Sequence, residues 1–86
     1  MLKLKVVSPE KVLFDGEVEM VKVPGIMGEF EILNNHAPII SALQNGTVEY
    51  APKGAAERVR IGVAGGFVEV LKNEVSLCVE CGPIGE

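Results

Sequence analysis

Histidine occurs once in the 86 residues, cysteine twice and tryptophan not at all. A tetrahedral zinc site needs more ligands than His36, Cys78 and Cys81 supply, and Cys78-Val79-Glu80-Cys81 has no second Cys-x-x-Cys pair beside it. A redox dithiol is usually activated at a helix N-terminus, whereas Cys78 ends a strand-like segment, so two incidental thiols kept reduced in the cytosol are expected. Cations are scarce as well. Eight Lys and Arg against twelve Asp and Glu give a formal net charge of −4, which disfavours nucleic acid, where affinity comes mainly from neutralising phosphates. Long apolar runs are missing: the longest apolar and glycine stretch, Ile61 to Val68, falls far short of the roughly 18 to 20 residues a bilayer span needs. Lys3 and Lys5 interrupt the opening apolar residues, so no secretory signal is read there. The expectation is a cytosolic chain, peripheral to a membrane only through a partner. Helical periodicity, linkers, repeats and low-complexity tracts are absent too.

What is present is a chain 48% hydrophobic, rich in valine, glycine and isoleucine, with turn signals every 8 to 12 residues. Its length suits one domain, residues 1–86, burying about 60 to 65% of its unfolded surface. Leu2, Leu4 and Val6 alternate with Lys3 and Lys5, and Val75, Leu77 and Val79 alternate with Ser76, Cys78 and Glu80, both patterns of half-buried strands. Asp15-Gly16 reads as a hairpin turn, Asn45-Gly46 and Asn73-Glu74 as further turns, and Gly65-Gly66 as a reversal into Phe67 to Leu71. Val18 and Met20 share one parity while Val21 and Val23 take the other, which predicts a bulge or a strand covered on both faces. Ile39 to Leu43 is mostly apolar and long enough for at most one turn of helix. These patterns predict an all-β sandwich or barrel.

The stretch from Val23 to Pro38 is the most distinctive. Pro24-Gly25 opens a turn that Gly28 closes, and Glu29, Phe30, Glu31 and Ile32 then alternate charged and apolar. A strand there buries Phe30 and Ile32 and shows both carboxylates to solvent, with their β-carbons roughly 7 Å apart. That spacing overlaps the range of acid/base carboxylate pairs, but a general acid needs burial to raise its pKa, and a surface pair beside turns lacks it. His36 has no orienting carboxylate or elbow-type nucleophile nearby, Ser41 being the nearest hydroxyl after it, so a corner or partner contact is the better reading. Gly25-Ile26-Met27-Gly28 and Gly62-Val63-Ala64-Gly65-Gly66 lead into strands and lack the lysine and helix N-terminus of a phosphate cradle. No catalytic residue, metal or cofactor is expected.

Several runs taken together carry more. Val7-Ser8-Pro9-Glu10-Lys11-Val12-Leu13-Phe14-Asp15-Gly16-Glu17-Val18, Val23-Pro24-Gly25-x-x-Gly28-Glu29, Ile32-Leu33-x-x-His36-Ala37-Pro38 and Gly65-Gly66-Phe67-Val68-Glu69-Val70 closely resemble the epsilon subunit of F-type ATP synthase, called delta in mitochondria. The resemblance covers essentially the whole chain in one register. It implies a flattened β-sandwich of about ten short strands at the foot of the central stalk, against the gamma subunit and on the ring of c subunits. It implies a rotor role without chemistry of its own, at the cytoplasmic face of a bacterial membrane. By position, Ser8, His36 and Ser41 match residues that the family places toward gamma. Gly25, Ile26, Met27, Gly28, Glu29 and Glu31 match the part meeting the polar loops of the c-ring, with Glu29 foremost.

Typical bacterial members continue into a helical hairpin that restrains ATP hydrolysis and in some cases binds ATP. This sequence ends Cys81-Gly82-Pro83-Ile84-Gly85-Glu86, so neither an inhibitory helical arm nor ATP binding is expected, and the ending suits a naturally short chain and a trimmed one alike. The coupling ion, proton or sodium, is open at this level. The alternative from another class is a free-standing sandwich that binds a small ligand, with the Val23–Pro38 platform as one pocket wall.

Overall fold

The structure is a computed structural model and describes residues 1–81; the ending, residues 82–86, on which the expectation about the helical arm falls, lies outside the described residues. Seven strands follow one another: β1 (Leu2–Val7), β2 (Val12–Gly25), β3 (Gly28–Ile32), β4 (Ile39–Leu43), β5 (Gly46–Pro52), β6 (Val59–Leu71) and β7 (Glu74–Cys81). Two of them, β2 and β6, run 14 and 13 residues, so seven strands cover what the resemblance divides into about ten shorter ones. The all-β class is as expected.

The two long strands hold the layers together because each is shared between them. The N-terminal half of β2 pairs with β1, and its C-terminal half lies between β3 and β5. The N-terminal half of β6 pairs with β5, and its C-terminal half lies between β4 and β7. One layer is therefore β3, β2, β5 and β6; the other is β2, β1, β7, β6 and β4. All the pairings are antiparallel except β1 with β7, which is parallel and closes β1, β2, β5, β6 and β7 into a ring.

Each long strand changes layer where its register slips. In β2 the slip falls between Val18 and Met20, so Val18 faces inward in one layer while Val21 and Val23 face inward in the other. The parity change in the sequence is this bulge. In β6 the slip falls between Val63 and Gly65, and Gly65 and Gly66 have φ of +155° and +145°. A Cβ on Gly66 would overlap the Cys78 carbonyl oxygen and sit 3.0 Å from the Val79 Cα, so only glycine lets the two backbones approach here.

Several expected turns are corrected. Gly65-Gly66 bends β6 without reversing it, and Asp15-Gly16 lies inside β2, opposite Lys5 and Leu4, because Ser8 to Lys11 already makes the turn from β1. Glycine serves a bend within a strand as readily as a reversal, which composition alone cannot separate. Pro24 belongs to β2, opposite Glu29, and the tight turn is Ile26-Met27 between the paired glycines Gly25 and Gly28. Ile39–Leu43 is a strand, not a helical turn, held by its ladder to β6. The last hairpin turns on Lys72-Asn73, one residue earlier than expected, with φ of 51° and 65° at the two positions, the geometry of a type I′ turn.

The core is one aliphatic cluster filled from both layers: Leu2, Leu4, Val6, Val18, Val68, Val70, Val75, Leu77 and Val79 from one, Val21, Val23, Ile32, Val48 and Tyr50 from the other. Phe14 packs against it, its ring centroid 4.6 Å from that of Tyr50.

Candidate functional site

The strand registers set out what each layer shows to solvent. On the β1–β7–β6–β4 side, Val7 lies opposite Cys78, Cys78 opposite Phe67, and Phe67 opposite Ala42, a row across four strands. The next row runs Lys5, Ser76, Glu69 and Ile40. Since the alternate positions on these strands fill the core, both rows point outward. Phe67 is 61% exposed and Ile40 73%. Phe67, Ile40 and Cys78 therefore lie exposed on a sheet face, with Val7 and Ala42 half-buried beside them, edged by Lys5, Ser76, Glu69 and Glu80. Beside it opens an apolar groove of about 550 Å³, bordered by Ser8, Pro9, Leu43, Gly66 and Phe67. The sequence reading gave no hint of this strip, because it is visible only once the register sets Phe67 between Cys78 and Ala42.

Ser8, at the turn after β1, borders that groove; its hydroxyl accepts the Glu10 and Lys11 backbone N–H groups at 3.3 Å. Ser41, half-buried on β4 opposite Val68, donates its hydroxyl to the Ala42 carbonyl at 3.0 Å. His36 lies in the corner between β3 and β4, with its Nδ1 2.7 Å from the Ala37 carbonyl and its ring centroid 6.3 Å from that of Phe30. An amide clasp steadies this corner. Asn35 donates its backbone N–H to Asn73 Oδ1 at 2.6 Å, and Asn73 Nδ2 donates to Asn35 Oδ1 at 3.3 Å. Ser8 thus borders the exposed face, whereas Ser41, opposite buried Val68, sits on the inward side of β4, and His36 stands at the far end of β4 with its own contacts.

The other layer presents charges. Glu31 lies opposite Lys22, Lys22 opposite Glu49, and Glu49 opposite Arg60. Glu49 is only 9% exposed and is held by Arg58 Nη1 at 2.9 Å and Arg60 Nε at 3.3 Å. The Arg58 hydrogen bond, aided by the charges of Arg60 and Lys22, holds its carboxyl below the usual carboxylate range against the opposing effect of burial. Because the folded pKa is depressed, the stabilisation is whole above the ordinary value of 4.5 and fades as pH falls through the lowered one. Glu49→Gln is expected to be less stable than the parent at neutral pH, with the difference vanishing in acid; urea unfolding across pH 2 to 7 checks it. A constant difference down to the lowest pH would rule out the ion pair as its source.

Beyond this ladder the Ile26-Met27 turn projects outward, with Met27 95% exposed. Gly25 is required there, since a Cβ would sit 2.8 Å from the Gly28 carbonyl oxygen and 2.9 Å from the Phe30 ring. Glu29 and Glu31 both lie on the solvent face with Phe30 half-buried and Ile32 buried, as the alternation predicts. Among the described residues neither carboxylate makes an ion pair, and no group of three or more His, Cys, Asp or Glu could hold a metal ion. Cys78 and Cys81, three positions apart on an extended strand, stand about 10 Å apart on opposite faces, which separates the two thiols. The larger groove, about 740 Å³ between Ser8–Lys11, Tyr50 and Arg60, does not include the Val23–Pro38 platform, so that platform forms no wall of it. No helix of the described residues is long and apolar enough to cross a membrane.

A family profile described as ATP synthase, Delta/Epsilon chain, beta-sandwich domain matches residues 1–81. The chain is similar to the ATP synthase epsilon chain of Leptospira interrogans, 45% identical over 85 residues, covering 99% of this chain and 65% of that one. It is similar to the epsilon chain of Desulfitobacterium hafniense at 43% identity over 83 residues, covering 96% and 61%. The chain thus spans a little under two thirds of these relatives. Two solved structures share the fold: one titled as central stalk and c-ring of the Tetrahymena thermophila mitochondrial ATP synthase, with TM-score 0.77, 19% identity, and 92% and 63% coverage. The other, from the Euglena gracilis mitochondrial ATP synthase, has TM-score 0.83, 20% identity, and 91% and 49% coverage.

Proposed function

The chain belongs to the ATP synthase delta/epsilon family through its β-sandwich domain, and on that premise we propose that it is a non-catalytic rotor subunit docking on gamma with one layer and on the c-ring with the other. The observation that carries this reading is the strip Val7–Cys78–Phe67–Ala42, in which Phe67 is exposed, with exposed Ile40 beside it. An exposed aromatic and aliphatic patch rimmed by charged and polar groups has the anatomy of a protein interface. Ser8 borders the groove beside that strip, Ser41 sits on the inward side of β4 behind it, and His36 lies in the corner before β4; by their match to the family these three are the gamma-facing residues. The ring-facing residues are Gly25, Ile26, Met27, Gly28, Glu29 and Glu31, an apolar tip followed by two solvent-facing carboxylates free to accept charge-assisted hydrogen bonds from the ring's polar loops. Docked in this way the subunit transmits torque between ring and gamma at the cytoplasmic face of the membrane.

Mixing the purified chain with the gamma subunit is expected to give a stoichiometric complex; failure to form one would remove the gamma half of the reading. Replacing Glu29 and Glu31 together by alanine is expected to lower recovery with the c-ring about tenfold, as for two charge-assisted contacts, while the melting temperature stays the same. Unchanged recovery at an unchanged melting temperature would remove the ring half.

A further inference from the structure

Between β3 and β4 the chain turns a corner over residues 33–38 that belongs to no ladder. Its own bonds are local: the His36 N–H reaches the Leu33 carbonyl at 3.1 Å, and His36 Nδ1 lies 2.7 Å from the Ala37 carbonyl. They give the turn its shape but not its direction. Among the described residues, the only hydrogen bonds that join this corner to the rest of the chain are the two to Asn73. Asn73 is itself well anchored. Its φ of 65° belongs to the β6–β7 hairpin turn, and its carbonyl accepts the Lys3 N–H at 2.9 Å, so hairpin and first strand together fix the backbone from which its side chain reaches out. Asn35, at φ 67°, stands in the same left-handed region. Glycine would serve either turn as well. What asparagine adds at position 73 is a carboxamide used at both ends, its oxygen on the Asn35 N–H and its nitrogen on Asn35 Oδ1.

We propose that Asn73 is a positioning residue, which through Asn35 sets the angle of the corner against the sheet and so aims the His36 imidazole at gamma. The partner rests on the reading of His36 as gamma-facing; the clasp rests on the bonds themselves. Leu71, 48% exposed, continues the outward parity of Phe67 and Glu69 along β6 to the hairpin that carries Asn73. The clasp therefore ties the corner to the same sheet that bears the Phe67 strip, and it keeps the spacing between the two. A corner free to swing would have to be ordered on binding, an entropic cost that a preset corner avoids.

Asn73→Gly keeps the positive φ and removes the clasp, so the hairpin survives the change. In the free, isotope-labelled full chain studied by NMR, the Asn35 amide of this variant is expected to exchange about tenfold faster than in the parent, and the contact between His36 and Phe30 ring protons to weaken. The Val68 and Leu77 amides, inside the sheet, should keep their protection. Asn73→Asp, which retains the acceptor oxygen, is expected to keep the Asn35 amide slow. Titration calorimetry against gamma is expected to show about fivefold weaker binding for Asn73→Gly, and no further loss when the same change is made in a His36→Ala chain. An unchanged Asn35 amide and ring contact in Asn73→Gly overturns the positioning role. So does an equal loss of gamma affinity with and without His36, or a loss in His36→Ala alone. A loosened corner in the free chain, with parent-like gamma binding in both Asn73→Gly and His36→Ala, keeps the clasp and removes His36 from the gamma contact.

Discussion

Gly66→Ala is expected to lower the melting temperature by about 12 to 24 °C, the equivalent of about 3 kcal/mol in a domain of this size. Two costs combine at this position. The φ of +145° is one that residues with a Cβ rarely adopt, and the added methyl would overlap the Cys78 carbonyl oxygen across the β6–β7 ladder, where backbone has little room to yield. Gly54 separates the two, since its φ is +80° but nothing lies within 4 Å of a Cβ there. Gly54→Ala is expected to cost about 1 kcal/mol, from the backbone angle alone. Thermal unfolding of both variants checks the comparison; equal losses would mean that the close approach at Gly66 contributes nothing.

Phe67→Asp is expected to weaken binding to gamma about a hundredfold, in line with the loss of an aromatic anchor at the centre of an interface. The fold should be unaffected, because Phe67 is 61% exposed and its place in the β6 ladder is held by the backbone. Met27→Asp is the matching control, an even barer apolar residue that lies on the β2–β3 turn and outside the strip, and should leave gamma binding unchanged. Titration calorimetry against gamma, with melting curves for each variant, decides the matter. Parent-like affinity for Phe67→Asp, or the same loss in Met27→Asp, would detach the Phe67 strip from gamma binding.

Strands with one wet face were legible residue by residue: β1 and β7 follow their alternation, and β3 shows Glu29 and Glu31 as the pattern requires. Glycine was the weak point. Asp15-Gly16 and Gly65-Gly66 carry the composition of turns, yet both sit inside long strands, because a sandwich whose strands cross between layers needs bends as much as reversals. The parity switch from Val18 to Val21 did register the crossing in β2, and the matching switch from Val63 to Val68 marks the one in β6. The docking surfaces were legible to different degrees. Glu29 and Glu31 lie near each other in sequence, so their shared face could be read directly. The strip around Phe67 joins residues 7, 78, 67 and 42, a neighbourhood that exists only once four strands are in register.

The parallel pairing of β1 with β7 has a consequence for synthesis. The first strand made waits for the last described one, since Lys3 to Val7 find their neighbours only at Glu74 to Cys78. No subset of the early strands can close the ring, so a nascent chain still on the ribosome holds β1 with one edge uncovered until nearly all of these residues have emerged. Folding of the sandwich is therefore a late and nearly all-at-once event, and the four-strand face around Phe67 exists only in a chain made at least through β7.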